Sequence, residues 1–451
     1  MQSKTQGTNR LSNLVNTFGS QFVIMLVTIL SGVLLARGLG AEGRGQYIAI
    51  TMWTNLLYWA LSFGVYQTVL YYWKSYQSTK KIIFTTLLLY SVFFCCIAVI
   101  IAQFLIVPLV MSDYSSEIKL AGRIYFIGII YAAFTDVLMA SLAGEEDFKF
   151  SNYIRMALPV MTTICMTALF LTDNFNILSG LYVSFAIWSV IFLLNIRKII
   201  QKNMIGTQVD WRLMISAFKY GSKSHGGSVA GLASLNSTQM MLSVFLHPSV
   251  LGIYSTAQSS ISPLNTVATT IGITLQPMLT AEERSVIHLR AMKVVRKSIL
   301  IMGTCSFILA ILLPVGIPFI YGAEFIGAVI PALIMLPSLM LNSVSNTYKN
   351  ALNGIGRTLI NTKTEFIVLV FTVGLLLLFL DNWQLIGAAI VTTIASIIRL
   401  SVYYYGYNKH ISNFNISLML PRREDIVDVH TLFTTIWNKK LGKKVVAKDS
   451  A

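Results

Sequence analysis

Charge is scarce in this 451-residue chain: Asp, Glu, Lys and Arg make up 12% of it, against about a quarter of a soluble domain. The deficit runs along the whole length, and mean hydropathy is +0.68. A soluble enzyme and a disordered protein are thereby excluded. Cysteine is as sparse. Cys95, Cys96, Cys165 and Cys305 all sit inside apolar runs, which excludes a disulfide scaffold and reads as small core residues. No C-x-x-C spacing occurs, and neither a metal nor a cofactor is expected. Acids are few as well, 18 against 34 bases. In an apolar chain that excess marks cytoplasmic loops rather than nucleic-acid binding. The first 20 or so residues are polar and lack the apolar core and cleavage site of a signal peptide.

What the chain does have is long apolar runs. Read against charged or turn-rich breaks, they predict twelve transmembrane helices at about 14–36, 45–73, 82–107, 120–143, 153–172, 177–196, 219–246, 250–279, 298–320, 325–352, 364–381 and 384–406. Twelve crossings of roughly 20 residues each need about 240 residues, which the chain supplies. The links on one side are short, such as RGLGAEGRG, TDNFN, HPSV and DNWQ. Four bases, Arg37, Arg44, Lys119 and Arg123, lie on that side and twenty-nine on the other. The bias places both termini and the longer links in the cytoplasm.

An internal repeat is visible. Gly45-Gln46-Tyr47 opens the second span and Gly252-Ile253-Tyr254 the eighth, at an offset of 207. Leu142-Ala143-Gly144 and Asn152 recur as Leu352-Asn353-Gly354 and Asn361 at offsets of 210 and 209. Six spans per repeat is even, so the repeats are parallel and a substrate site is expected between them. The expected organisation is a cytoplasmic N-terminal segment (1–13), a six-helix lobe (14–196), a cytoplasmic linker (197–218), a second six-helix lobe (219–406) and a basic cytoplasmic tail (407–451). The fold class is all-α, polytopic, with two parallel six-helix repeats around a central cavity.

Polar residues fall on stripes. Gln258, Ser262, Asn265, Thr269 and Gln276 share one face of the eighth span, and Thr51, Asn55, Tyr58 and Ser62 a matching face of the second, four pairs keeping the offset of 207. Asn13, Asn16, Thr17, Ser20, Thr28 and Ser31 align on the first span, and His225, Ser228, Asn236, Gln239 and Ser243 on the seventh. Such faces must meet protein or water, because an unsatisfied polar group in lipid costs several kcal/mol. Small and hydroxyl residues also serve plain helix packing. Amides and a histidine recurring on four helices point instead to a hydrated cavity. Seven of the ten prolines (Pro248, Pro263, Pro277, Pro314, Pro318, Pro331 and Pro337) cluster around spans 7 to 10, marking the more deformable half.

With RGLGAEGRGQY, FKYGSK, VLGIYSTAQ and ALNGIGRT in their places, the chain resembles the Wzx-type polysaccharide flippases. These are the O-antigen or repeat-unit translocases of the multidrug/oligosaccharidyl-lipid/polysaccharide exporter superfamily. The resemblance spans residues 10–406 and rests on the total pattern. It implies a two-lobed alternating-access carrier in the bacterial plasma membrane. The cargo implied is an undecaprenyl-pyrophosphate-linked oligosaccharide, moved to the outer leaflet for O-antigen, lipopolysaccharide or another surface polysaccharide. Partners would be membrane lipids, the polysaccharide polymerase and chain-length machinery. The lipid II flippase branch carries charge within its first span, whereas this chain has none between Arg10 and Arg37. The alternative is a cation-coupled small-molecule or drug exporter of the same superfamily. An enzyme is not expected, since the short loops offer no convergent acid, base or nucleophile.

Candidate substrate-binding residues are Asn55, Tyr58, Asn236, Gln239, Gln258 and Asn265 for the sugar. For the pyrophosphate they are Arg399 and Lys349, with His225, and Lys219 as the weakest case. Lys349 shares a face with Asn342, Ser345, Asn346 and Asn353. Arg offers phosphate a bidentate fork and Lys a point charge, while snorkelling to the headgroups is the plainer use of both. Lys219 and Lys223 lie on a face turned away from His225. Asp136, on the small-residue stripe Gly128, Ala132, Ala140 and Ala143, reads as the one acid deep inside a span. It serves either helix packing or cation coupling. The tail, with Arg422, Arg423, Lys439, Lys440, Lys443, Lys444 and Lys448 diluted by Glu424, Asp425 and Asp428, reads as an interfacial basic segment with a topological and adhesive role.

Overall fold

The computed structural model describes the backbone of residues 2–75, 80–275, 284–412 and 416–427, and the side chains among them outside 2–23, 75, 223–224, 266–275 and 416. Asn13, Asn16, Thr17, Ser20, Lys223, Thr269, Gln276, Asp428 and the five lysines from Lys439 to Lys448 lie outside the described side chains. Among the described residues there is no β-strand.

Among the described residues twelve long helices follow one another: α1 (2–39), α2 (41–75, interrupted at 62–64), α3 (Lys80–Val110), α4 (Ser116–Gly144), α5 (Phe148–Leu171), α6 (Ile177–Gln201), α7 (Trp211–Phe245), α8 (Pro248–Leu275), α9 (Arg284–Tyr321), α10 (Ala323–Gly354), α11 (359–383) and α12 (385–410). The boundaries have local causes. α1 and α2 part at Gly40, at φ 66°, and α11 and α12 at Gln384, at φ 38°. Ser115 caps α4 through its hydroxyl, Asn176 and Ser179 form a capping box on α6, and Asp210 caps α7 by accepting from two backbone N–H groups. Among the described residues, eight segments are long and apolar enough to cross a membrane, two of them each holding a broken pair (24–74 and 359–410). Of these helices the exceptions are α7 and α8, two of the four expected to carry polar stripes.

Residues with no protein partner face outward as an apolar coat. Phe104, Phe319 and Leu171 are 80, 78 and 76% exposed, a pattern that water would not tolerate and lipid does. The protein is a multi-pass membrane protein.

The chain divides into two compact units. The first comprises Met1–Ser260, Leu313–Ala332 and Glu365–Val391. One of its cores joins α2, α3 and α4 through Val69, Trp73, Phe84, Leu87, Val137 and Leu138. The repeat is visible inside it. At Gly45 on α2 an added Cβ would overlap the Pro248 carbonyl, and at Gly252 on α8 it would overlap the Ala41 carbonyl. Ala41 and Pro248 are themselves 207 residues apart, so the contact is reciprocal under the repeat. Only glycine lets two backbones approach this closely.

Linker residues are fastened to this unit. Gly206 N–H donates to Thr85 Oγ1 at 2.7 Å and Asp210 N–H to Thr86 Oγ1 at 3.0 Å. Lys202 bridges Glu145 and Asp147 at 3.0 and 3.1 Å.

The second unit comprises Ile261–Leu312, Leu333–Thr364 and Thr392–Ala451. Its core joins α9, α10 and α12 through Ile287, Met292, Val295, Tyr348, Leu352, Tyr403 and Tyr407. Leu418 and Met419, beyond the last helix, pack against it. The sequence reading takes Asp425 only as an acid that dilutes a basic segment. The structure corrects this: Asp425 is buried and accepts from Arg296 Nε at 2.7 Å and from Arg422 N–H at 2.9 Å. A buried carboxylate needs such partners.

Candidate functional site

In the first unit α2 and α7, one helix from each repeat, flank an open cavity of about 270 Å³. Thr51, Asn55 and Trp59 line it from α2, and Asn236 and Gln239 from α7. Ile48, Met52, Leu56 and Leu232 complete the wall. Thr51 and Asn55 of one expected stripe and Asn236 and Gln239 of the other thus border the same space. Asn55 Nδ2 donates to the Thr51 carbonyl and Asn236 Nδ2 to the Leu232 carbonyl, each at 2.9 Å. One amide hydrogen apiece is spent on the residue's own helix. Gln239 Nε2 donates to Gln258 Oε1, which sets Gln258 one step behind the wall.

Other expected site residues are placed elsewhere. The Tyr58 hydroxyl donates to the Asp136 carboxylate, so Tyr58 serves Asp136 and is not part of the cavity wall. His225 is buried; its Nε2 donates to the Trp59 carbonyl at 2.6 Å, and its ring stacks on the Trp59 indole at 6.3 Å. The break in α2 permits this, since α7 comes so close at Gly221 that a side chain there would overlap the Phe63 carbonyl. Lys219 is exposed on α7, and Asn265, in the second unit, is exposed as well.

That second unit holds the buried base. Arg399 on α12 is 7% exposed, and its Nη1 donates to Asn342 Oδ1 on α10 at 2.9 Å. Lys349, half-buried, lies seven residues along α10 from Asn342, two turns on the same face. Asn361 donates to Asn353 at 2.5 Å farther along that helix.

Two buried charges escaped the sequence reading. Asp136 is not the sole acid within a span: Glu365, in α11, is 5% exposed and lies against Gly231 of α7. Its place beside Lys363, at the start of an apolar run, makes it look like a helix end. Arg44, taken as a topology marker, is 1% exposed. Its Nη1 donates to the Gly32 carbonyl at 2.9 Å and its Nη2 to Ser259 Oγ at 3.0 Å, while its guanidinium lies 5.4 and 5.8 Å from the Tyr321 and Phe325 ring centres. Nearby, Arg37 donates to the Phe319 and Ile320 carbonyls ending α9, and Glu324 accepts from the Ala41 N–H opening α2. Each charge matches the dipole of the helix end it caps. Only the repeat offset hints at these contacts in sequence.

The same helix arrangement occurs in solved transporters. Lipid II flippase MurJ in an inward closed conformation matches at TM-score 0.72 and 16% identity, over 89% of each chain. An inward-facing multidrug resistance MATE family transporter of the MOP superfamily matches at 0.66 and 14% identity, over 86% of this chain and 94% of the other. A variant of the Vibrio cholerae MATE transporter VcmN matches at 0.59 and 13%, over 90% and 99%. At these identities the likeness is one of fold. No curated protein matches the sequence. The family model described as polysaccharide biosynthesis protein matches residues 34–330. The chain belongs to that polysaccharide biosynthesis protein family.

Proposed function

We propose that the protein is a flippase of the Wzx type. It carries an undecaprenyl-pyrophosphate-linked oligosaccharide from the cytoplasmic to the outer leaflet of a bacterial plasma membrane, both termini cytoplasmic. The observation that carries this reading is the family match over residues 34–330, and the chemistry of the two sites supports it. An amide-lined cavity suits sugar hydroxyls, which both donate and accept. Arg399 and Lys349 supply the cationic donors that a pyrophosphate needs. The two six-helix lobes, 14–196 and 219–406, would rock about the parallel repeat axis to expose the cargo on alternate sides. Asp136, tied to Tyr58, is the group whose protonation or cation occupancy would bias that equilibrium. The product would pass to the polymerase and chain-length machinery on the outer face.

The test is complementation. Strains blocked in export of defined repeat units receive this gene, and surface polysaccharide is scored. Restoration in at least one strain supports the reading. Restored drug efflux without polysaccharide in any strain would favour the small-molecule exporter instead.

A further inference from the structure

Among the described residues, the wall of the cavity between α2 and α7 carries no charged side chain. Two buried carboxylates lie on the surrounding helices: Asp136, held by the Tyr58 hydroxyl, and Glu365, against Gly231 beside Leu232 of the wall. The cavity's volume of about 270 Å³ falls below the roughly 300–1,000 Å³ of sites that enclose a drug-sized ligand. That is space for one sugar ring, the rest of a chain lying outside it. One wall is the Trp59 indole, 40% exposed although it sits between two packed helices. His225 fixes it from behind, bonding its carbonyl and stacking on its ring. The opposite wall carries the amides of Asn236 and Gln239.

An aromatic face opposed by amides is what a pyranose requires. Its C–H face packs on the indole while its hydroxyls meet amide donors and acceptors. Resting on the flippase reading above, we infer that this cavity is a subsite for a single uncharged sugar of the repeat unit, with Trp59 its stacking platform. It excludes a hexuronic acid at that position. A carboxylate brought here would shed its water without gaining a cation from the described wall. Selection at this subsite is by charge first and by hydroxyl pattern second. His225 is a positioning residue that keeps the indole flat against the sugar.

The experiment uses the full-length protein in proteoliposomes with two synthetic polyprenyl-pyrophosphate disaccharides, one carrying galactose and the other galacturonic acid at the same position. Translocation is read by access of an external galactose-specific or uronate-specific label. The expected result is at least tenfold faster movement of the galactose lipid. Trp59→Ala should bring the two rates within twofold by slowing the galactose lipid, and Trp59→Phe should preserve the preference. Asn236→Lys, which places a cation in the wall, should raise the uronate rate several-fold, and it remains informative if Trp59→Ala accumulates poorly. Equal wild-type rates for the two lipids would overturn the subsite while leaving the flippase reading intact. Movement of neither lipid, in protein that is folded and correctly inserted, would overturn both.

Discussion

Asp425 receives the Arg296 guanidinium at 2.7 Å with both side chains more than nine-tenths buried. The acid comes from beyond the last membrane helix and the base from near the start of α9. Two charges withdrawn from water hold each other strongly, and removing one strands the other at a cost of about 3–5 kcal/mol. Asp425→Ala and Arg296→Ala should each lower the thermal midpoint of the purified protein sharply. The double change Arg296→Met with Asp425→Leu should recover most of the loss. Truncation after residue 427 should retain the wild-type midpoint, and truncation after residue 412 should not. Equal midpoints for the two truncations would remove the 416–427 segment from the fold.

The glycine pair gives a second expectation. Gly45→Ala and Gly252→Ala each push a methyl group into a backbone carbonyl of the facing helix. Overpacking of this kind costs about 1–3 kcal/mol. By the reciprocity of the contact, the two variants should behave alike in thermal stability, and the double variant should cost less than their sum because one separation relieves both. Measured additivity would show that the contacts are independent.

Arg399→Ala and Lys349→Ala should each weaken polysaccharide export sharply with normal membrane levels of protein. Lys219→Ala, at an exposed position, should do little. Arg399→Lys should not rescue, because an ammonium cannot keep the Asn342 bond and present a fork at once. Wild-type export by both alanine variants would move the pyrophosphate to another site.

Asp136→Asn should fold, insert and lose dependence on an ion gradient, since it keeps an acceptor for Tyr58 but not the charge. Tyr58→Phe should retain gradient dependence with a shifted midpoint. Transport by proteoliposomes with and without an imposed gradient separates these outcomes. Unchanged dependence in Asp136→Asn would leave the residue a purely structural role.

On the linker side, Lys202 donates to Asp147 and holds its carboxyl below the usual carboxylate range. A depressed carboxylate stabilises the folded corner above the ordinary pKa of about 3.9 and ceases to do so as pH falls through the lowered value. Hydrogen exchange in residues 202–210 should therefore be flat between neutral pH and about pH 4 after correction for intrinsic rates, and rise only below. The pair is solvent-accessible, and its contribution is small. In Lys202→Met the same segment should already exchange faster at neutral pH.

The helices were legible because lipid imposes one rule: a span must be apolar for about 20 residues. Their true lengths were less so. α9 is already helical at Arg284, where hydropathy places a cytoplasmic link, because a helix continues into the headgroup region with no apolar signal. The polar stripes of α2 and α7 pointed to the cavity through their angular register, which depends only on 100° per residue. Tyr58 shows where that logic stops. It shares the stripe with Asn55, yet its length carries the hydroxyl past the cavity to Asp136. Trp59 lies off the stripe and yet lines the cavity, a place that a polar pattern does not signal. Asp425 and Glu365 were misread because a charge near a helix end looks solvated until its neighbours are known.

The fastening of residues 206 and 210 to Thr85 and Thr86 bears on how the chain is made. α7 carries Ser228, Asn236 and Gln239 along its membrane length and is not among the segments apolar enough to partition unaided. Each such amide penalises release into bare lipid. The tether holds the start of α7 against α3, so an emerging α7 would meet protein as well as lipid. Loosening Thr85 or Thr86 would then show first in the yield of inserted protein, before any change in the rate at which mature molecules work.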